Sequence, residues 1–593
     1  MNAGKTFAAV PALLGLAVIA ALLSIQPLWG HRSDSGEIFG AYSTRYALVL
    51  AAHVGLSAGW VGLLLARKRT ASLLTALARP LRCGGVALAL LLGGAVWFIP
   101  FEPQVKQYAA VNLLLVIALL TASDPALYGA RLLRWLLVGA ALLLAALFIG
   151  VLAQFPFSPD EAHWADYAST PYVANAFDPP GVYARTWLMT PYPIAPGVGW
   201  SVAAYGWLLE HVAFDIRVGR IWNYAGYLLS FGTIALLAWR LYGRHAALFA
   251  VLFAVGSRVF IPVFDYRPDH QLAFAVPLIV FCAMQSRAGW HVAAGLLGAL
   301  ALQLHAAAAA VVFGLGLYYA AQTLIRRDLR PLIAYGAGAL LGGGLYLALN
   351  VAPVGGLSTF LDILTRERGG RESFLRFLTW PSLPELVVIV GAVAFLIWRR
   401  SAADRRLLGI LVAVAVGLAL IDTQGYRSPI AGLYAVAVGA ALAGAFERRA
   451  ALDGKISLAP ASVIAALLVF QAAGAVPWSE LALPEYGYKL LGEALEPYLR
   501  EDDTVLGSHL LIWSLPRHPR LVSAAAEVTA MRRWNLSDPV EVWRRVQPTV
   551  TVIVENEVEI NPGMRAYLDE QGFTECARLQ VAALNVTIAR PDC

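Results

Sequence analysis

Asp160, Glu161, His163 and Asp166 crowd into the segment Phe157-Ser158-Pro159-Asp160-Glu161-Ala162-His163-Trp164-Ala165-Asp166-Tyr167. The segment follows an apolar run from Leu132 to Gln154. One carboxylate in such a place can act as a general base that takes a proton from an acceptor hydroxyl. A second can position the first or hold a metal ion. Asp160 and Glu161 are therefore catalytic candidates, and His163 is a candidate for contact with substrate or phosphate. The Pro159-Asp160-Glu161 start also has the form of a helix N-cap with acid in the first turn. The two readings are compatible, because a carboxylate at a helix N-terminus stays ionised.

A second cluster, Asp265-Tyr266-Arg267-Pro268-Asp269-His270, fills a short connection between two apolar runs. Ionisable groups at membrane depth are costly unless they face a water-filled cavity; the plainer alternative is a polar hairpin tip in bulk water. Asp269 is the third catalytic candidate, and Arg267 and His270 are candidate substrate or phosphate contacts. His305, two residues after Gln303, would either satisfy a backbone carbonyl or hydrogen-bond a phosphate or acceptor. The stretch Arg366-Glu367-Arg368-Gly369-Gly370-Arg371-Glu372, followed by Arg376, offers guanidinium forks that suit phosphate. Its glycine pair lets backbone approach a ligand. Arg366, Arg368 and Arg371 are the phosphate candidates here, although Glu367 and Glu372 could instead neutralise two of the arginines within a surface helix. Arg217, Arg220, Arg258 and Arg427 are weaker candidates. Asp160 and Asp269 could take a divalent metal ion, but no His/Cys ligand spacing demands one.

These groups must be positioned by membrane helices. The 593-residue chain is 59% hydrophobic and 14% charged, against about 25% charged in soluble proteins. With about 20 apolar residues needed per crossing, about fifteen spans are expected. They are 7–28, 46–65, 84–100, 108–122, 132–154, 217–239, 245–264, 271–286, 288–304, 306–324, 331–350, 384–398, 406–421, 429–446 and 456–475. The first is read as a retained helix rather than a cleaved signal. Basic loops such as Arg67-Lys68-Arg69, Arg240/Arg244, Arg326-Arg327 and Arg399-Arg400 fall at alternate connections and mark the cytoplasmic side. Both acidic clusters, His305 and the Arg366–Arg371 stretch then share the outer face. Pro196–Phe214 is expected to dip into that interface or lie along it, since one crossing there would invert every later basic loop. The formal charge of +7 is scattered through short loops, so topology explains it and a nucleic-acid partner is not implied.

After about residue 476 the composition becomes that of a water-soluble domain of about 115 residues. Tyr488–Arg500 and Pro562–Gln571 read as helices. Thr504–Gly507 and Thr549–Glu555 read as buried strands, and Thr574–Ala582 with Leu584–Ala589 as a hairpin. Cys83 and Cys282 fall in or beside apolar segments. Cys576 and Cys593 flank the hairpin and could pair as a disulfide if the domain is outside the cytoplasm.

As a set, Pro159-Asp160-Glu161 after a helix, Arg267-Pro268-Asp269 in a later short loop, Gln303-Leu304-His305 and the soluble C-terminal domain resemble the GT-C membrane glycosyltransferases. The likeness is to the protein O-mannosyltransferase and lipid A aminoarabinose transferase type. It implies a GT-C-like α-helical polytopic membrane protein with a small C-terminal α/β domain. It divides the chain into 1–131, additional membrane helices; 132–475, a catalytic membrane domain with outer loop 155–215; and 476–593, an extracytoplasmic domain. It further implies a multi-pass protein of the bacterial inner or plasma membrane. The implied reaction is inverting transfer from a polyprenyl-phosphate-linked sugar to a lipid, polysaccharide or protein hydroxyl. Asp160 matches the family's base and Asp269 its second acid, with no certain cofactor. Two other classes compete. A transporter or lipid flippase would bury charges at mid-membrane and show internal repeats. A non-catalytic scaffold with a GT-C-like body would tolerate loss of Asp160.

Overall fold

The computed structural model describes residues 130–152, 161, 164–165, 199–257, 260, 267–351, 356–358, 383–421, 428–453, 464, 467–468, 488–515, 518, 520–524, 527, 531, 536–555, 561–582 and 584–593. The expected spans before residue 130 lie outside them.

The helices of the membrane portion are α1 (Ala130–Leu152), α2 (Gly199–His211), α3 (Ile216–Tyr242), α4 (Arg244–Gly256), α5 (Leu272–Ala283), α6 (Ala288–Leu300), α7 (Ala308–Arg326), α8 (Arg330–Val351), α9 (Leu383–Arg399), α10 (Ala402–Ile421) and α11 (Ser428–Asp453). Among the described residues α3, α7 and α8 are long and apolar enough to cross a membrane; several others are shorter apolar helices. Leucine, valine and alanine at helical spacing build one shared core across these helices apart from α2. Where helices come closest, glycine is required. A Cβ on Gly338 of α8 would strike the Val292 carbonyl of α6, so these two helices pack backbone to backbone.

The two ends of the bundle differ in chemistry. At one end Gly243, with φ +85°, turns α3 into α4. Arg399 donates from Nε to Asp404 Oδ2 at 2.8 Å and lies 5.2 Å from the Tyr242 ring centroid. His245 Nδ1 is 3.4 Å from Glu447. The basic connections α3–α4 and α9–α10 thus meet the tail of α11. At the other end stand the N-terminus of α3 and the 3-10 turns Pro268–Gln271 and Ala301–Gln303. The Tyr224 hydroxyl of α3 donates to Leu144 O of α1 at 2.9 Å, which joins these two helices. The intervening α2, at about 1.5 Å per residue, is shorter than a bilayer core. It buries Tyr205 and Leu209 with Ile216 and with Tyr488, Leu491 and Trp513 of the C-terminal domain. The Phe214 ring lies 5.6 Å from that of Trp513. The C-terminal domain therefore sits at the end that holds the N-terminus of α3.

That domain contains α12 (Tyr488–Leu495), β1 (Val505–Gly507), β2 (Leu521–Ser523), α13 (Pro539–Val546), β3 (Val550–Val554), α14 (Pro562–Glu570), β4 (Thr574–Val581) and β5 (Leu584–Arg590). The sheet order is β2-β1-β3-β5-β4. β1 pairs parallel with β2 and β3, whereas β3–β5 and β5–β4 are antiparallel. Alternation places Val505 on the face packed against α12 and Leu506 on the face packed against Trp543, Met564 and Tyr567. The sequence reading missed β2 and α13. β2 is only three residues long, and α13 is polar on one side; its start is nonetheless marked by Asp538, whose side chain accepts from Val540 N at 2.9 Å, and by Pro539 at the first helical position.

Two links close the domain. Cys576 and Cys593 are joined as a disulfide, with Cα atoms 5.4 Å apart. The buried Asp503 accepts from Arg500 N–H at 2.6 Å, from the Thr549 hydroxyl at 2.9 Å and from Arg590 Nη1 at 3.1 Å. Burial alone would raise the Asp503 carboxyl, but these donors and the Arg590 charge outweigh it and hold its pKa below the usual 3.8.

Candidate active site

Helical spacing puts Arg220, Asn223 and Gly226 of α3 on one stripe, three residues apart. Asp215 starts this helix, its carboxylate accepting from Arg217 N at 2.8 Å. From the next turn Arg220 reaches Glu161, fifty-nine residues earlier. Its Nε donates to Oε1 at 2.8 Å and its Nη2 to Oε2 at 2.7 Å. Both side chains are 0% exposed. The fork satisfies both carboxylate oxygens in the geometry that makes such pairs strong. Glu161 is thus fixed to the helix bundle.

Asn223 faces the 3-10 turn. Pro268 fixes the first residue of that turn, and Arg267 before it is extended at φ −141° and ψ 128°, as a residue preceding proline prefers. Arg267 Nε donates to Asp269 Oδ1 at 2.9 Å. His270 Nε2 lies 3.9 Å from Asp269 Oδ2. On the far edge of the ring, His270 Nδ1 is 3.1 Å from Asn223 Nδ2. Gln271 Nε2 in turn donates to Asn223 Oδ1 at 3.3 Å. The Gln271 amide occupies the space that a Cβ on Gly226 would need, so glycine there admits this contact.

Asp269 is buried, and burial alone would raise its pKa. His270, Arg267 and His305 act in the opposite sense, with the Arg267 hydrogen bond adding to them, and the carboxyl settles at about 2. His305 enters with an unforeseen partner. Its Nδ1 accepts from the Ala307 backbone N–H at 3.1 Å. It stands at the entrance to α7, close enough to Asp269 for its charge to count.

Of the residues singled out in the sequence, Arg267, Asp269 and His270 come together with His305, while Glu161 is tied to Arg220. Asp160, His163, Arg366, Arg368 and Arg371 lie outside the described residues. Asn223 and Gln271 were missed. The polar Asn223 three residues after Arg220, inside an otherwise apolar run, was the available signal. Among the described residues no group of three or more His, Cys, Asp or Glu is placed to hold a metal ion.

No family model and no curated protein matches the chain. Solved structures do. ArnT from Cupriavidus metallidurans in the apo state matches with TM-score 0.53 and 15% identity, over 77% of this chain and 98% of that one. The same protein bound to undecaprenyl phosphate matches with TM-score 0.52 and 14% identity, over the same shares. The mycobacterial arabinofuranosyltransferase AftD matches at TM-score 0.47 and 15% identity, over 78% of this chain and 40% of that one. The chain shares the fold of ArnT over most of its length.

Proposed function

We propose that the protein is a glycosyltransferase that moves a sugar from a polyprenyl-phosphate-linked donor to an acceptor hydroxyl, with Asp160 as general base. The observation that carries this reading is the Glu161–Arg220 fork. Both Glu161 oxygens are committed to a guanidinium, which suits an anchor and not a base. The base is then its chain neighbour, Asp160. The fold likeness to a protein whose structure holds undecaprenyl phosphate supports a lipid-phosphate donor.

Asp160 takes the proton of the acceptor hydroxyl as its oxygen attacks the anomeric carbon. The bond from that carbon to the phosphate oxygen breaks, and its electron pair leaves with the polyprenyl phosphate. A single displacement inverts the centre. The leaving phosphate needs charge stabilisation rather than a strong acid. Arg267, His270 and His305 at the Asp269 turn, with Arg366, Arg368 and Arg371, are the groups assigned to it. Asp269, held ionised, fixes the Arg267 guanidinium. A divalent ion on Asp160 and Asp269 is not required by this scheme. The Cys576–Cys593 disulfide supports an extracytoplasmic C-terminal domain. The basic ends of the α3–α4 and α9–α10 turns support a cytoplasmic opposite face. The reading covers hexosyl or pentosyl donors and lipid, polysaccharide or protein acceptors.

The test is Asp160→Asn, assayed for sugar transfer from a polyprenyl-phosphate donor. A loss of about 10²–10⁴-fold is expected. Undiminished transfer by a normally folded variant would overturn the assignment.

A further inference from the structure

We propose that Asn223 is a positioning residue that, with Gln271 behind it, fixes the imidazole of His270 in the tautomer carrying its proton on Nε2. The inference rests on the reading of this turn as the phosphate side of a transferase site.

The geometry is a chain of amides ending on a ring. Gln271 Nε2 donates to Asn223 Oδ1 at 3.3 Å, which commits the Asn223 oxygen and leaves its Nδ2 to face His270 Nδ1 at 3.1 Å. An amide N–H can only donate, so Nδ1 must accept and the neutral ring carries its hydrogen on Nε2. Nε2 is the atom on the Asp269 side, 3.9 Å from Oδ2. Gln271 and Asn223 are both buried, and Gly226 leaves room for the Gln271 amide where a Cβ would stand. The His270 side chain, 16% exposed, is the most accessible of the three. Among the described residues it faces Asp269 on its own turn and Asn223 from α3, while Arg267 and His305 act on the same carboxylate. A ring so held presents a hydrogen-bond donor toward a phosphate oxygen without carrying a full charge. A charged ring would have to place a second proton against the Asn223 amide hydrogens.

Three variants and two readouts test this. The ¹⁵N spectrum of histidine-labelled protein, with His270 assigned by its disappearance in His270→Gln, reports the tautomer directly and does not depend on activity. The Nε2–H form is expected in the wild type. In Asn223→Asp, which keeps the shape but offers Nδ1 a carboxylate, a ring that stays protonated to higher pH is expected. A wild-type ring with its proton on Nδ1 would overturn the proposal. The second readout is transfer. Asn223→Leu should raise KM for the lipid-phosphate sugar about tenfold, as for loss of one buried hydrogen-bond network. In the His270→Gln background it should change kcat/KM by less than about twofold, because the proposed effect of Asn223 on transfer runs through that ring. Independent, multiplying losses would also overturn it. If the wild type transfers no sugar from any lipid phosphate, the transferase reading fails by itself, and the spectrum still decides the tautomer.

Discussion

Arg220, in the second turn of α3, holds both carboxylate oxygens of Glu161 in a site from which water is excluded. Removing either partner leaves an uncompensated buried charge, at a cost of about 3–5 kcal/mol. Arg220→Met and Glu161→Leu alone should therefore each lower the thermal unfolding temperature in detergent sharply. The double variant should recover much of the loss, since two apolar groups bury without a charge. Equal loss in the double and single variants would show that the pair matters through its packing alone.

Much of the architecture was legible because it is written in apolar run length and in turn chemistry. The described helices fall on the expected runs, as α8 does on 331–350, and β3, β5 and α14 fall on the expected segments of the C-terminal domain. The site was legible only by residue type. Arg267, Asp269 and His270 are adjacent in sequence, so their meeting is local. Glu161 meets Arg220 and Asn223 meets His270 only after helices pack, across separations of 59 and 47 residues. No spacing rule along one chain encodes such pairings. Arg220 consequently ranked among the weaker arginines, and Asn223 was passed over as one polar residue in a long helix.

The disulfide closes a loop between Cys576 and Cys593, a separation of 17. Restricting the unfolded chain over such a length contributes about 3 kcal/mol. Cys576→Ser should lower the stability of the C-terminal domain by about that amount, read as earlier protease cleavage between α12 and β5 on heating. The wild type should show no free thiol at Cys576 or Cys593 until reduced. Alkylation of both without reductant would exclude the bond.

Gly226 leaves room for Gln271 and so for the amide chain to His270. Gly226→Ala puts a methyl group where that amide lies. Overpacking of this kind costs about 1–3 kcal/mol, and it should be felt first at the turn Pro268–Gln271. Transfer activity should fall further than unfolding temperature, and Gly232→Ala, whose Cβ would meet nothing within 4 Å, serves as the control. Equal behaviour of the two alanine variants would dissociate Gly226 from the site.

Asp503 ties Arg500, Thr549 and Arg590 together at one edge of the sheet. Its pKa is depressed in the folded state, so the unfolded chain binds the proton more tightly. The stability it contributes is then fully present above the unfolded value of 3.8 and drains away as pH falls through the lower folded value. Denaturant unfolding of the full chain, followed at Trp513 and Trp543, should show this acid-side slope. In Asp503→Asn the contribution of this group to the slope should vanish and stability near neutrality should drop. An unchanged slope would assign the acid sensitivity to other carboxylates.

Asp269 gives a different signature, because its role is read in activity. With its pKa at about 2, it is ionised at every pH at which the protein would be assayed. An acid limb of kcat/KM above about pH 4 must then come from another group, either the proposed base Asp160 or His270. Asp269→Asn removes the acceptor of the Arg267 hydrogen bond and one of the charges that favour a protonated His270. Activity should fall while a limb set by Asp160 stays near its wild-type position; a limb set by His270 should move to lower pH, since loss of a neighbouring anion lowers an imidazole pKa. The position of the limb in this one variant thus separates the base from the imidazole. A wild-type limb centred near pH 2, abolished in Asp269→Asn, would instead make Asp269 itself the titrating catalytic group.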